Sequence, residues 1–199
     1  MLLNEETETR IDPRVKRTQA LIQQAFKELL AEKGFQSITV QDITQRAEIN
    51  RATFYAHFPD KFALLESHIQ QVFRAELESR TLHACHYSED NLRALIVTVI
   101  EFIGQANTHC KSIDSQFELL VERQVRKQIQ EILDLWIGKV GSDIETQTAA
   151  TASSWTIYGL ALQYNQDKNA GKPSAEAFAE QVLPLVRDNL HLQQEMRPA

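Results

Sequence analysis

Ile38-Thr39-Val40-Gln41-Asp42-Ile43-Thr44-Gln45-Arg46-Ala47-Glu48-Ile49-Asn50-Arg51-Ala52-Thr53-Phe54-Tyr55-Ala56-His57-Phe58-Pro59-Asp60-Lys61 is the stretch whose reading decides the fold. It reads as two short helices joined by a tight turn. Thr39 is a cap for a helix starting at Val40, because its hydroxyl accepts a bond from a free N–H of the first turn. Asp42 follows where an acid opposes the positive helix end. Val40, Ile43 and Ala47 fall at helical spacing on one face, and Ala47 is small enough for a close crossing. The turn passes through Glu48, Ile49 is its apolar plug, and Asn50 caps the second helix. Phe54 and Phe58, four residues apart, form the buried side of that helix.

A helix this short cannot bury Arg51 and Tyr55 as well as Phe54 and Phe58. Arg51, Ala52, Thr53, Tyr55 and His57 are therefore outward or flanking, and Lys61 stands just beyond. Taken singly, each fits the solvated face of an ordinary amphipathic helix. Taken together, they are donors suited to phosphate oxygens and base edges. Charge agrees modestly: residues 10–61 carry nine Lys/Arg against six Asp/Glu, whereas residues 62–199 carry twelve against eighteen, within a chain of net charge −6. A basic head on an acidic chain fits nucleic acid touched at one end only.

Upstream, Asp12 is a cap, Pro13 occupies the first helical position, and Leu21, Ile22, Phe26, Leu29 and Leu30 form an apolar stripe. Gly34 ends the helix and Phe35 packs back. Residues 1–9 are expected to be a disordered arm. Downstream, helical spacing continues and no β alternation appears in the 199 residues. Pro59 is expected to open a long helix carrying Phe62, Leu64, Leu65, Ile69, Val72, Phe73 and Leu77. An apolar helix follows from Asn91 to about Gln105. One or two helices are expected over 112–139, including Leu119, with Gly138 and Gly141 at the next break. A small-residue helix over 143–166 precedes a turn at Asn169–Pro173. Ser174 then caps a last helix carrying Leu183 and Leu185, which Pro184 should kink or loosen. The expected fold is all-α: a three-helix helix-turn-helix head over 10–60 and a larger helical unit over 61–199.

These residues carry a resemblance. Thr39, Val40, Ile43, Ala47, Ile49, Asn50, Thr53, Phe54, Tyr55, His57, Phe58, Lys61, Leu64 and Leu65 stand in a pattern similar to the DNA-binding domain of the TetR/AcrR family of bacterial transcriptional regulators. The resemblance covers residues 13 to about 68 specifically and the rest only in helical layout. It implies that Thr39, Tyr55, His57 and Lys61 contact phosphates while Arg51, Ala52 and Thr53 face base edges of double-stranded DNA. It implies a homodimer through the two C-terminal helices, about 143–166 and 174–192. It also implies a small-molecule effector pocket, with Phe102, His109, Gln116, Phe117, Trp136, Trp155 and Tyr158 as candidate lining. The expected protein is a cytoplasmic, ligand-responsive repressor on a palindromic operator. The alternative is a regulator of the same fold answering to a protein partner or a metal or redox signal. The family often has Gly at the positions of Glu48 and Ala52. If the turn needs φ > 0, Glu48 costs roughly 1 kcal/mol.

His83, Cys85, His86, His109 and Cys110 invite a metal reading, but their spacing matches no strong ligand motif. Two cysteines are not read as a structural disulfide. There is no P-loop, dinucleotide glycine motif, nucleophile elbow or paired His-Glu zinc motif. The expectation is no enzyme, no cofactor, no metal site and no membrane span.

Overall fold

The computed structural model describes residues 12–80, 86–109 and 115–192, with the side chains of 107–109 and 115–116 outside that set. The expected arm (1–9), His83, Cys85 and Cys110 lie outside the described residues, as do the side chains of His109 and Gln116. The described residues form eight helices: α1 Pro13–Lys33, α2 Val40–Arg46, α3 Arg51–His57, α4 Lys61–Arg80, α5 Glu89–His109, α6 Ser115–Val140, α7 Thr146–Gln166 and α8 Ala175–Asn189. The chain divides into two compact units, Met1–Leu64 and Leu65–Ala199, so the boundary falls within α4.

In the first unit, local chemistry sets each helix end. Asp12 accepts from the Arg14 N–H at 2.8 Å, and Gly34 closes α1 at φ 74°. Thr39 and Asp42 form a full capping box: Asp42 N–H donates to the Thr39 hydroxyl at 3.1 Å and Thr39 N–H donates to the Asp42 carboxylate at 2.7 Å. The Thr39 hydroxyl, which donates to the Asp42 carboxylate at 2.6 Å, then Lys33 at 2.9 Å and the Thr39 N–H, hold the Asp42 carboxyl far below its ordinary range. Asn50 caps α3 by accepting from the Thr53 N–H at 2.7 Å. Lys61, rather than Pro59, begins α4. Asp60 caps it, accepting from the Phe62 and Ala63 N–H groups at 2.8 Å each. Ile22, Phe26, Leu29, Phe35, Ile38, Ile43, Phe54, Phe58 and Leu64 make the core of this unit. Leu21 and Phe62, expected inside, are exposed, although the Phe62 ring meets the Phe35 ring edge-on.

In the second unit α6 packs chiefly on α7, and α5 on α7 and α8. Leu92, Leu95, Ile96, Val99, Ile100 and Ile103 bury the α5 side of the core. Asn165 donates from α7 to the carbonyl of Ile100 at 2.8 Å, and Arg187 of α8 pairs with Glu89 at 2.9 Å. The stretch expected as one or two helices is one, α6. Gly138 lies inside it, and the break falls at Gly141, where φ is 90°. Leu119 and Leu185 are exposed. Pro184 sits inside α8 on its exposed side, so the helix continues through it. No helix among the described residues is long and apolar enough to cross a membrane.

The turn between α2 and α3 carries identifiable strain. Ile49 N–H donates to Thr44 O at 3.0 Å and Glu48 N–H to Gln45 O at 3.3 Å, the bond pair of a Schellman motif. That motif puts Glu48 in the left-handed region, at φ 54°. The steric cost for a residue with a Cβ is about 1–2 kcal/mol, against about 0.5–1 kcal/mol of extra chain entropy for glycine. Glu48→Gly is therefore expected to raise unfolding free energy by about 0.5–1 kcal/mol, measured by urea denaturation. A fall in stability would contradict the turn geometry.

Candidate nucleic-acid interface

The helix α3 is seven residues long and carries two chemistries on opposite sides. Phe54 is fully buried and Phe58 nearly so, their ring centroids 6.1 Å apart. Arg51, Ala52, Tyr55 and Ala56 are exposed, and Thr53 and His57 are half-buried. Tyr55 keeps 49% of its surface in solvent while its ring edge rests on Phe54 at 5.5 Å. The phenol is thus fixed at its base and open at its tip.

The hydrogen bonds divide the expected site residues. Thr53 donates its hydroxyl to the Asn50 side chain at 2.9 Å, and Thr39 donates its hydroxyl to Asp42 at 2.6 Å. Both hydroxyl hydrogens are spent on caps. A phosphate oxygen only accepts, so the expected donation from Thr39 to phosphate is not supplied by this geometry. Thr53 keeps its methyl group and its lone pairs.

Lys61 departs most from expectation. Its Nζ donates to the carbonyls of Phe35, Gln36 and Ile38 at 3.3, 3.2 and 2.9 Å, which takes up all three ammonium hydrogens. The ammonium also lies 4.7 Å from the Phe35 ring centre, a cation–π distance. Burial pushes its pKa down. The first N–H groups of α4 are capped by Asp60. Lys61 therefore clamps the chain between α1 and α2.

Two further cations are held inside the unit. Arg46 reaches Glu32 at 2.8 Å and Glu28 at 3.1 Å, fixing α2 to α1. Lys33 pairs with Asp42. Arg14, Lys16, Arg17, Lys27 and Arg51 are exposed and carry no ion pair among the described residues. Counting basic residues cannot reveal this division, because each acidic partner comes from another turn or helix.

The effector candidates scatter. Phe102, Phe117, Trp136 and Tyr158 are buried. Phe102 stacks edge-on against Phe73, Trp136 against Tyr87. Burial pushes the Tyr158 phenol up to about 12. Trp155 is 51% exposed, with the Arg126 guanidinium 3.5 Å above its ring centre, so it does not join the buried set. A cavity between α4 and α6 has none of the seven candidates on its wall. Among the described residues no group of three or more His, Cys, Asp or Glu side chains is placed to hold a metal.

Comparison with known proteins places this geometry. The family described as bacterial regulatory proteins, tetR family, matches residues 22–67. An uncharacterized HTH-type transcriptional regulator of Bacillus subtilis, YxbF, is 48% identical over 67 residues. That match covers 33% of this chain but only 18% of the relative. The HTH-type transcriptional repressor KstR2 of Rhodococcus jostii is 26% identical over 181 residues, covering 81% of this chain and 85% of the relative. A TetR-family regulator of Streptomyces coelicolor shares the fold with a TM-score of 0.61 at 15% identity, over 88% of this chain and 95% of that one.

The Lys61 clamp has a measurable consequence. Lys61→Met is expected to cost about 2 kcal/mol, since hydrogen bonds from a charged donor contribute roughly 1.5–3 kcal/mol. It should leave the dependence of DNA affinity on salt unchanged. Urea unfolding and a salt titration of DNA binding check both. A stable variant with a shallower salt slope would return Lys61 to the phosphates.

Proposed function

We propose that this chain is a member of the TetR family of bacterial regulatory proteins, whose pattern residues 22–67 match, and that it is a cytoplasmic homodimeric repressor that binds a palindromic operator and releases it when a small molecule enters its helical unit. The supporting observation is α3: its aromatic side is buried, and Arg51, Ala52 and Tyr55 stand open on the other. Arg51 reads base edges, with Ala52 and the Thr53 methyl against thymine methyl groups. Tyr55 and His57 hold the backbone. Thr39 orients α2 through its cap, and Lys61 keeps the α1–α2 connection in shape.

A dimer is proposed through α7 and α8. Ala152, Trp155 and Gly159 share one exposed stripe of α7, three and four residues apart. A Cβ added at Gly159 would meet nothing within 4 Å in its own protomer, so nothing inside the chain requires glycine there. Small residues flanking an exposed tryptophan suit a two-fold partner that approaches closely. Leu185 of α8, 53% exposed, adds apolar surface. Gly159→Arg and Trp155→Glu are expected to yield folded monomers with weaker DNA binding. Light scattering with circular dichroism checks this, and an intact dimer in both variants would reject the surface.

Selection of duplexes from a random pool at low salt tests the DNA reading. It should return a palindrome with half-sites about 34–36 Å apart. Affinity should fall steeply with salt, at about 0.9 log units per log unit of salt for each phosphate neutralised. Arg51→Ala should relax preference at particular base pairs by about 1–3 kcal/mol. Equal losses on selected and random DNA would reject base reading by Arg51.

A further inference from the structure

We infer that Ala56 joins Ala52 in a crest of two methyl groups on which α3 seats against the floor of the major groove, and that this crest selects thymine methyl groups there. A helix turns about 100° per residue, so the positions two before and two after Phe54 each lie about 160° around from it. Those positions are Ala52 and Ala56, and both are exposed while Phe54 is fully buried. The pole of α3 that points most directly away from the core is thus a pair of methyl groups. The side chains with hydrogen-bonding groups stand lower, about 60–100° from Phe54 by the same geometry. Arg51 and Tyr55 occupy one shoulder, Thr53 and His57 the other.

That order inverts an ordinary amphipathic helix, whose outward pole carries its charged and polar residues. Helix propensity does not require alanine there, because Arg, Lys, Gln and Glu follow it closely. The methyl pole has a steric meaning instead. A helix with its side chains is about 10–12 Å across and the major groove about 12 Å wide. A long side chain at the pole would hold the helix off the base pairs. Two methyl groups let its backbone approach them, and the polar shoulders then meet the groove walls.

What a methyl pole can recognise is narrow. It satisfies no donor or acceptor, so a polar base edge pressed against it goes unpaired. The thymine C5-methyl is the apolar group that base pairs present in the major groove. Thr53 adds little polar reading, since its hydroxyl donates to Asn50 at 2.9 Å. Arg51 remains as the reader of polar edges, and guanine is its bidentate match. Ala52 and Ala56 are about 6 Å apart along the helix axis, close to two base-pair rises of about 3.4 Å. The half-site therefore carries two thymines within about two steps of each other, beside a guanine. Thymine selection rests on the proposed duplex binding, to which it adds Ala56 and the base chemistry read.

The test uses the full chain, a duplex selected from a random pool and an unselected duplex of equal length, with affinity read by fluorescence anisotropy. Replacing the thymines of one half-site in turn by deoxyuridine removes only the methyl group. At two positions this should weaken binding about fourfold, the contribution of one buried carbon. Ala56→Gly should abolish the loss at one position and Ala52→Gly at the other, a coupling that altered helix stability alone does not produce. Ala56→Leu keeps a good helix former at an exposed position, so the Tm should hold. Its affinity for the selected duplex should fall at least about thirtyfold, while the unselected duplex, held by its phosphates, should lose less than about twofold. A selected half-site without thymine, no deoxyuridine loss at any position, or losses that persist in both glycine variants would each overturn the crest. So would an Ala56→Leu variant that keeps full affinity or loses equally on both duplexes. A chain that binds no duplex from the pool overturns the operator reading and the crest with it.

Discussion

A helix of seven residues does not hold its shape in water, because helix nucleation costs more than two turns of hydrogen bonds return. The helix α3 exists because Phe54 is fully buried beneath it and Phe58 closes its end. Burying one such side chain contributes roughly 1.5–3 kcal/mol. The Asn50 cap starts the helix, and the Schellman turn at Glu48 sets its entry from α2. Once Phe54 points inward, helical geometry leaves Arg51, Ala52 and Tyr55 outward. The exposed polar face is thus a consequence of the core.

The same economy governs the cations. An ammonium or guanidinium used to hold a fold is not available to a ligand. Lys61 bridges three backbone carbonyls, Arg46 joins two acids of α1, and Lys33 supports the Asp42 cap. These groups give the small unit stiffness that its modest core alone would not provide. The exposed cations that remain, Arg51 and those of α1, set its outward charge.

Much of this was legible in residue order, because caps and faces are local. Asp12 with Pro13, Thr39 with Asp42, Asn50, and Ser174 each announce a helix start through a side chain that reaches N–H groups two or three residues away. The strained Glu48 turn was foreseeable for the same reason. What escaped depends on distant partners. The carbonyls that absorb Lys61 lie 23 to 26 residues earlier. A helical period marks Leu119, Leu135 and Trp155 as apolar but not whether another helix covers them.

The helical unit adds what the head lacks: a deep core on α5, an uncovered stripe on α7, and a cleft beside α6. The head carries the central claim, that the polar side of α3 meets a duplex while its aromatic side stays packed. Amide and aromatic NMR shifts, followed as the protein is titrated with a duplex selected from a random pool, test it most directly. The account predicts the largest changes at Arg51, Ala52 and Tyr55, with the Phe54 ring unmoved. Changes confined to α5–α8, or a Phe54 ring that leaves its packed position on binding, would contradict it.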